Sequence, residues 1–121
     1  MNKLIAIALL AVPCASFADH LDVIETKLNQ GCSLASYLAV VKDFNEWGKG
    51  YGYKAEILVP LQRANLETFY WVGRSASTES FGKAWDAWRD AQANPDSVAA
   101  KLNARLDACG TSLNRSGMDT Y

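Results

Sequence analysis

Histidine, cysteine and proline are all scarce in this chain of 121 residues, which holds one His, three Cys and three Pro. No C-x-x-C, H-E-x-x-H, G-x-G-x-x-G or G-x-x-x-x-G-K-[ST] pattern is present, which removes the commonest zinc, redox, dinucleotide and P-loop chemistries. A block of like charge is missing too. Twelve Lys plus Arg stand against 13 Asp plus Glu for a formal charge of -1, and charged residues make up 21% of the chain. That balance excludes a strongly basic nucleic-acid binder and fits poorly with intrinsic disorder. The lone His20 offers neither a converging set of metal ligands nor an internal Ser-His-Asp constellation. No metal, cofactor or nucleic-acid partner is expected.

Long apolar runs are equally few. The one clear case, Leu4 to Val12, follows Lys3 and ends at Ser16-Phe17-Ala18, small residues two apart. This is the pattern of a secretory signal peptide over residues 1–18, far shorter than the roughly 20 residues of a membrane-spanning helix. The expectation is a single α+β domain over 19–121, periplasmic or secreted, with no membrane insertion after the signal is removed. Cys14 leaves with the signal. Cys32 and Cys109 remain as an even pair in an oxidising compartment, where a disulfide is their ordinary fate. The bridge would close a loop of about 75 residues, for which the chain-entropy account gives roughly 4 kcal/mol.

The periodicity then organises the chain. Leu21 to Leu28 alternates, with Ile24, Thr26 and Leu28 on one side and Val23, Glu25 and Lys27 on the other, which is strand spacing. Ser33 can cap a helix whose stripe is Leu34, Tyr37, Leu38, Val41, Phe44 and Trp47. Glycines 48, 50 and 52 end it. A second strand runs from Tyr53 to Leu61, placed at a sheet edge by Pro60, which has no N–H to donate. The aromatic, β-branched run Thr68 to Arg74 makes a third strand. Hydroxyls at 75–78 precede a second helix with Phe81, Ala84, Trp85, Trp88 and Ala91 inward. Asn94-Pro95-Asp96 opens a third, with Val98, Leu102, Leu106 and Cys109 inward. The polar tail 111–121 is either a fourth strand or a frayed end.

Strand, helix, strand, strand, helix, helix, with the tail as a last strand if it forms one, is the split βαβ order of a ferredoxin-like fold: an antiparallel sheet with helices on one face. The other face would carry Val23, Leu58, Tyr70, Val72 and Arg74, large enough to want a partner or ligand. This arrangement resembles the dimeric α+β-barrel superfamily, in which two such units join their free sheet faces and enclose a cavity. Its members include cofactor-free monooxygenases and haem-degrading enzymes. Cys32 before the first helix, Trp47 with its glycines, Ile57-Leu58-x-Pro60, Phe69-Tyr70-Trp71-Val72-Gly73 and Asp107-Ala108-Cys109 together resemble a group of small secreted bacterial proteins of unknown function. The resemblance covers Cys32 to Cys109 and implies the fold and a homodimer. Haem breakdown is not implied, because the second helix, Glu79 to Asp86, has no histidine.

Eleven aromatics fall between Tyr37 and Trp88, a density that makes either a core or a pocket. Trp47, Trp85 and Trp88 sit on helical stripes and read as packing. Tyr70 and Trp71 are strand neighbours that must point to opposite faces, and Arg74 follows with a guanidinium suited to a carboxylate or a ring. Tyr70, Trp71 and Arg74 are therefore the candidate ligand-binding residues; no catalytic set is identifiable. The first reading is self-association, or binding of a small apolar or aromatic ligand, through the free sheet face. The second is a cofactor-independent oxygenase or isomerase working in a cavity.

Overall fold

The computed structural model describes residues 19–62 and 66–121; the expected signal peptide, residues 1–18, lies outside the described residues. The elements are β1 (His20–Leu28), α1 (Leu34–Gly48), β2 (Lys54–Leu58), β3 (Thr68–Ser75), α2 (Thr78–Gln92), α3 (Val98–Cys109) and β4 (Gly110–Asp119). The four strands lie in the order β2-β3-β1-β4 with every neighbouring pair antiparallel, and the helices pack on one face. This is the expected ferredoxin-like α+β fold.

Register explains the faces. Asp22 pairs with Gly73, Ile24 with Trp71, Thr26 with Phe69 and Ala55 with Gly73, so these residues share the covered face. Val23 pairs with Val72, Glu25 with Tyr70 and Leu58 with Tyr70, which puts them on the open face together with Arg74. The tail is a strand of ten residues along β1. Its Ser, Thr and Asn content gives little strand preference; pairing with the otherwise bare edge of β1 orders it. Glu25 pairs with Asn114 and Thr26 with Ser112, leaving Leu113 unpaired in a bulge.

The second strand is shorter than its alternation suggests and stops at Leu58, before Pro60. It does lie at the edge. There, the Asn45 side chain of α1 imitates a further strand: its Nδ2 donates to the Ala55 carbonyl at 2.9 Å and its Oδ1 accepts from the Ala55 N–H at 2.7 Å. The outer polar groups of Ala55 are thereby used up, and an incoming strand cannot pair with them.

Ser33 and Ser77 cap α1 and α2 through their side chains. The cap of α3 is Ser97 rather than the expected Asn94, whose Oδ1 instead accepts from the Asp96 N–H in a turn. The helix therefore begins at Val98, which lies on the exposed side, and Ala99, Leu102 and Cys109 form its buried stripe. In α1 the buried residues are Tyr37, Val40, Val41 and Phe44, while Leu38 is turned outward. Phe44 is the centre of the core, with its ring edge-to-face against Tyr53, Trp71 and Trp88, contacts worth about 0.5–1.5 kcal/mol each beyond area burial. Cys32 and Cys109 are joined by a disulfide with Cα atoms 5.3 Å apart. Asn29 reinforces that corner, its N–H donating to the Cys109 carbonyl and its Nδ2 to the Asp107 carbonyl. No helix among the described residues is long and apolar enough to cross a membrane.

Candidate ligand cavity between sheet and helices

The three residues expected from sequence to form a site do not stand together. Tyr70 and Arg74 project from the open face, where Arg74 lies 3.6 Å from Glu56. Trp71 projects the other way, is 5% exposed and reaches the covered face. There it lines a partly open cavity of about 180 Å³ between β1, β3, β4, Tyr53 and the three helices. A cavity of about 150 Å³ is already enough to hold a benzene ring.

The walls are aromatic: Tyr37, Phe44, Trp47, Tyr53, Trp71, Phe81, Trp85 and Trp88. The tryptophans expected as packing, Trp47, Trp85 and Trp88, thus both pack and line the cavity. The polar lining is Asp22, Thr26, Asn103, Asp107, Ser112 and Arg115. Asp22, Trp71, Phe44 and Trp88 are buried, whereas Asp107 and Ser112 are exposed and Asn103 is intermediate. The cavity therefore has a buried floor under the sheet and a polar rim between α3 and β4.

On the floor, four residues form one hydrogen-bonded line. Trp71 Nε1 donates to Tyr53 Oη at 2.8 Å, and Tyr53 Oη donates to Asp22 Oδ2 at 3.0 Å. Arg115 donates from Nε to Oδ1 and from Nη2 to Oδ2, both at 2.7 Å. The Trp85 ring covers the guanidinium at 4.1 Å from its centroid. Asp22 is 2% exposed, and a carboxylate buried so deeply calls for a hydrogen-bonded partner of this kind. Burial pushes the Tyr53 phenol far above its usual range, and the Asp22 charge pushes it further. Tyr53 is thus held neutral. Burial also raises the Tyr37 phenol, with the Asp107 charge adding to the effect and a hydrogen bond from Thr26 opposing it.

Glycine makes this geometry. Asp22 faces Gly73 on one neighbouring strand and Gly117 on the other. A Cβ on Gly73 would lie 1.7 Å from Tyr53 Oη; the missing side chain is the opening through which the phenol crosses β3 to reach Asp22. Asp22, Tyr53 and Arg115 escaped the sequence reading. A signal existed for the first: alternation puts Asp22 inward with Ile24 and Thr26, and a buried charge must be paired.

A second polar cluster lies at the far end of β1. The buried His20 has its Nδ1 2.8 Å from Asp119 Oδ1, Thr78 Oγ1 donates to the same oxygen at 3.1 Å, and the His20 ring packs on Phe81. The hydrogen bond to His20, and after it that of Thr78, holds Asp119 below the usual carboxylate range.

In sequence, no family model and no curated protein matches the chain. Solved structures place it in a class, the ferredoxin-like α+β domains. SnoaB from Streptomyces nogalater, described as a cofactor-independent oxygenase, superposes with a TM-score of 0.51 at 13% identity, over 84% of this chain and 91% of that one. A conserved protein of unknown function from Bacteroides thetaiotaomicron gives 0.48 at 5% identity over 86% and 99%. A dimeric ferredoxin-like protein of unknown function from Bacteroides fragilis gives 0.43 at 11% identity over 84% and 93%. At such identities the likeness to SnoaB concerns the fold.

Proposed function

We propose that this protein binds a small aromatic molecule in the cavity between sheet and helices, and that two copies associate through their open sheet faces. The observation that carries the reading is the cavity itself, ring-sized and walled by eight aromatic side chains. Binding is favoured over catalysis because the polar groups of the floor are spent on one another. The Trp71 N–H, the Tyr53 O–H and both Asp22 oxygens are engaged within the line of hydrogen bonds, and a general base needs a free lone pair aimed at its substrate.

Association rests on the open face, where Leu21, Val23, Leu58 and Tyr70 form an apolar strip around the buried Val72, with Arg74, Glu56 and Lys54 along one side. The disulfide agrees with an oxidising compartment, and residues 1–18 fit processing after Ala18 into the periplasm or medium. The second reading, a cofactor-independent oxygenase or isomerase, has one observation in its favour: a carboxylate, a phenol and an indole converge at the floor of a cavity.

The test is a native mass spectrum of the protein recovered from the periplasm. The expected species is a dimer of the chain beginning at Asp19, two hydrogens lighter per copy than the reduced form and carrying extra bound mass. A bare monomer would overturn both association and retained ligand.

A further inference from the structure

Among the described residues Arg115 is the one cation that lines the cavity, and the way Asp22 holds it decides what the cavity can take. A guanidinium has two edges that present paired N–H groups: a side edge made by Nε and Nη2, and an end edge made by Nη1 and Nη2. Asp22 occupies the side edge with both oxygens at 2.7 Å. Among the described residues the end edge has no hydrogen-bond partner, while Trp85 covers one flat face of the group. The side chain is 38% exposed, so its outer edge is accessible from the rim.

Resting on the reading of the cavity as a ligand site, we infer that the ligand is an aromatic carboxylate. Its ring lies among the Trp and Phe side chains, and its carboxylate takes the end edge of Arg115 in a bidentate pair. Two parallel N–H donors match the two oxygens of a planar carboxylate better than any single acceptor. At that edge a cation is repelled by the guanidinium, and the floor carboxylate of Asp22 is already engaged. Asp22 is then a positioning residue: it fixes the guanidinium plane so that the second edge points outward.

Isothermal titration calorimetry of the intact, disulfide-bonded protein at pH 7 tests this with three probes of one ring system: 2-naphthoate, 2-naphthamide and 2-naphthylmethylammonium. Naphthoate should bind at least about tenfold tighter than the amide, the scale of a hydrogen bond to a charged group, and the ammonium should bind weakest. Arg115→Lys keeps a positive charge for Asp22 but has no second edge, so the preference for acid over amide should fall to about threefold or less. Should that variant fail to fold, the wild-type comparison still decides. Equal affinity for acid and amide, or a preference for the ammonium, overturns the carboxylate inference and leaves the cavity reading standing. No binding by any of the three overturns both.

Discussion

The two faces of the sheet are built from the same alternating strands, yet they do opposite work. On the covered face, Asp22, Trp71 and Ala55 are each no more than 5% exposed, and the Trp71 N–H, the Tyr53 O–H and both Asp22 oxygens are engaged in one line that ends on Arg115. On the open face, Leu58 is 53% exposed and the charges pair side by side at the surface. Even there Val72, flanked by Val23 and Glu56, is buried within the single chain. A polar group beneath the helices is therefore a commitment of the fold, whereas a polar group on the open face is replaceable. Substitutions on the two faces should separate accordingly.

The largest effect should come from Arg115→Met. It leaves the Asp22 carboxylate buried without its counter-charge, for which about 3 kcal/mol is expected, at the low end for a broken buried pair because the arginine is partly in water. Urea unfolding measures it, and a loss under about 1 kcal/mol would mean that Asp22 is not held by this pairing. Gly73→Ala should follow at about 2 kcal/mol, because a Cβ there displaces Tyr53 from Asp22 and leaves the Trp71 N–H without an acceptor. The contrast is Gly82→Ala in α2, where the new Cβ meets nothing. That change should stabilise the protein by about 0.5–1 kcal/mol through helix preference. If both glycine substitutions destabilise alike, close approach is not the reason Gly73 is there.

How far the sequence reveals all this follows from the range of each interaction. Strands and helices were legible wherever one repeat dominated, as in β1 and α1, because periodicity records which side is buried, while β3 showed through its aromatic and β-branched content. Capping at Ser33 was legible because it is decided within four residues. The bounds of β2 and the cap of α3 were less so, since Pro60 and Ser97 act against patterns that continue past them. The site was mostly hidden. Trp71 was named for its bulk, and its side chain stands on the covered face; Arg115 lies in a tail whose strand exists only through pairing with β1, and Tyr53 reaches Asp22, two strands away, across Gly73. Tyr70 and Arg74 stand on the face opposite Trp71, as their parity along β3 requires.

On the open face, Leu58→Lys should change stability by no more than about 0.5 kcal/mol, because the side chain is already largely in water. Its effect should appear in size instead. Two lysines brought together on facing sheets repel and must be desolvated, so sedimentation or size-exclusion analysis should show monomer for the variant against the dimer proposed for the wild type. An unchanged dimer would put the association surface elsewhere and remove the stated function of this face.

The smallest effect lies at the end of β1, where the covered face meets solvent. Asp119 is held below the ordinary carboxylate range by His20 and then Thr78, so its charged form favours the folded state. The sign follows: this stabilisation is present above the pKa of the unfolded aspartate, near 4, and is lost as pH falls through the lower folded value. Asp119→Asn still accepts a hydrogen bond from His20 but has no charge to strengthen it. Its melting temperature should therefore sit slightly below wild type at pH 7 and converge with it below about pH 3. A gap that stays constant down to that pH would assign the effect to packing against Thr78 rather than to charge, and the His20 cluster would then be part of the neutral core rather than its ionic boundary.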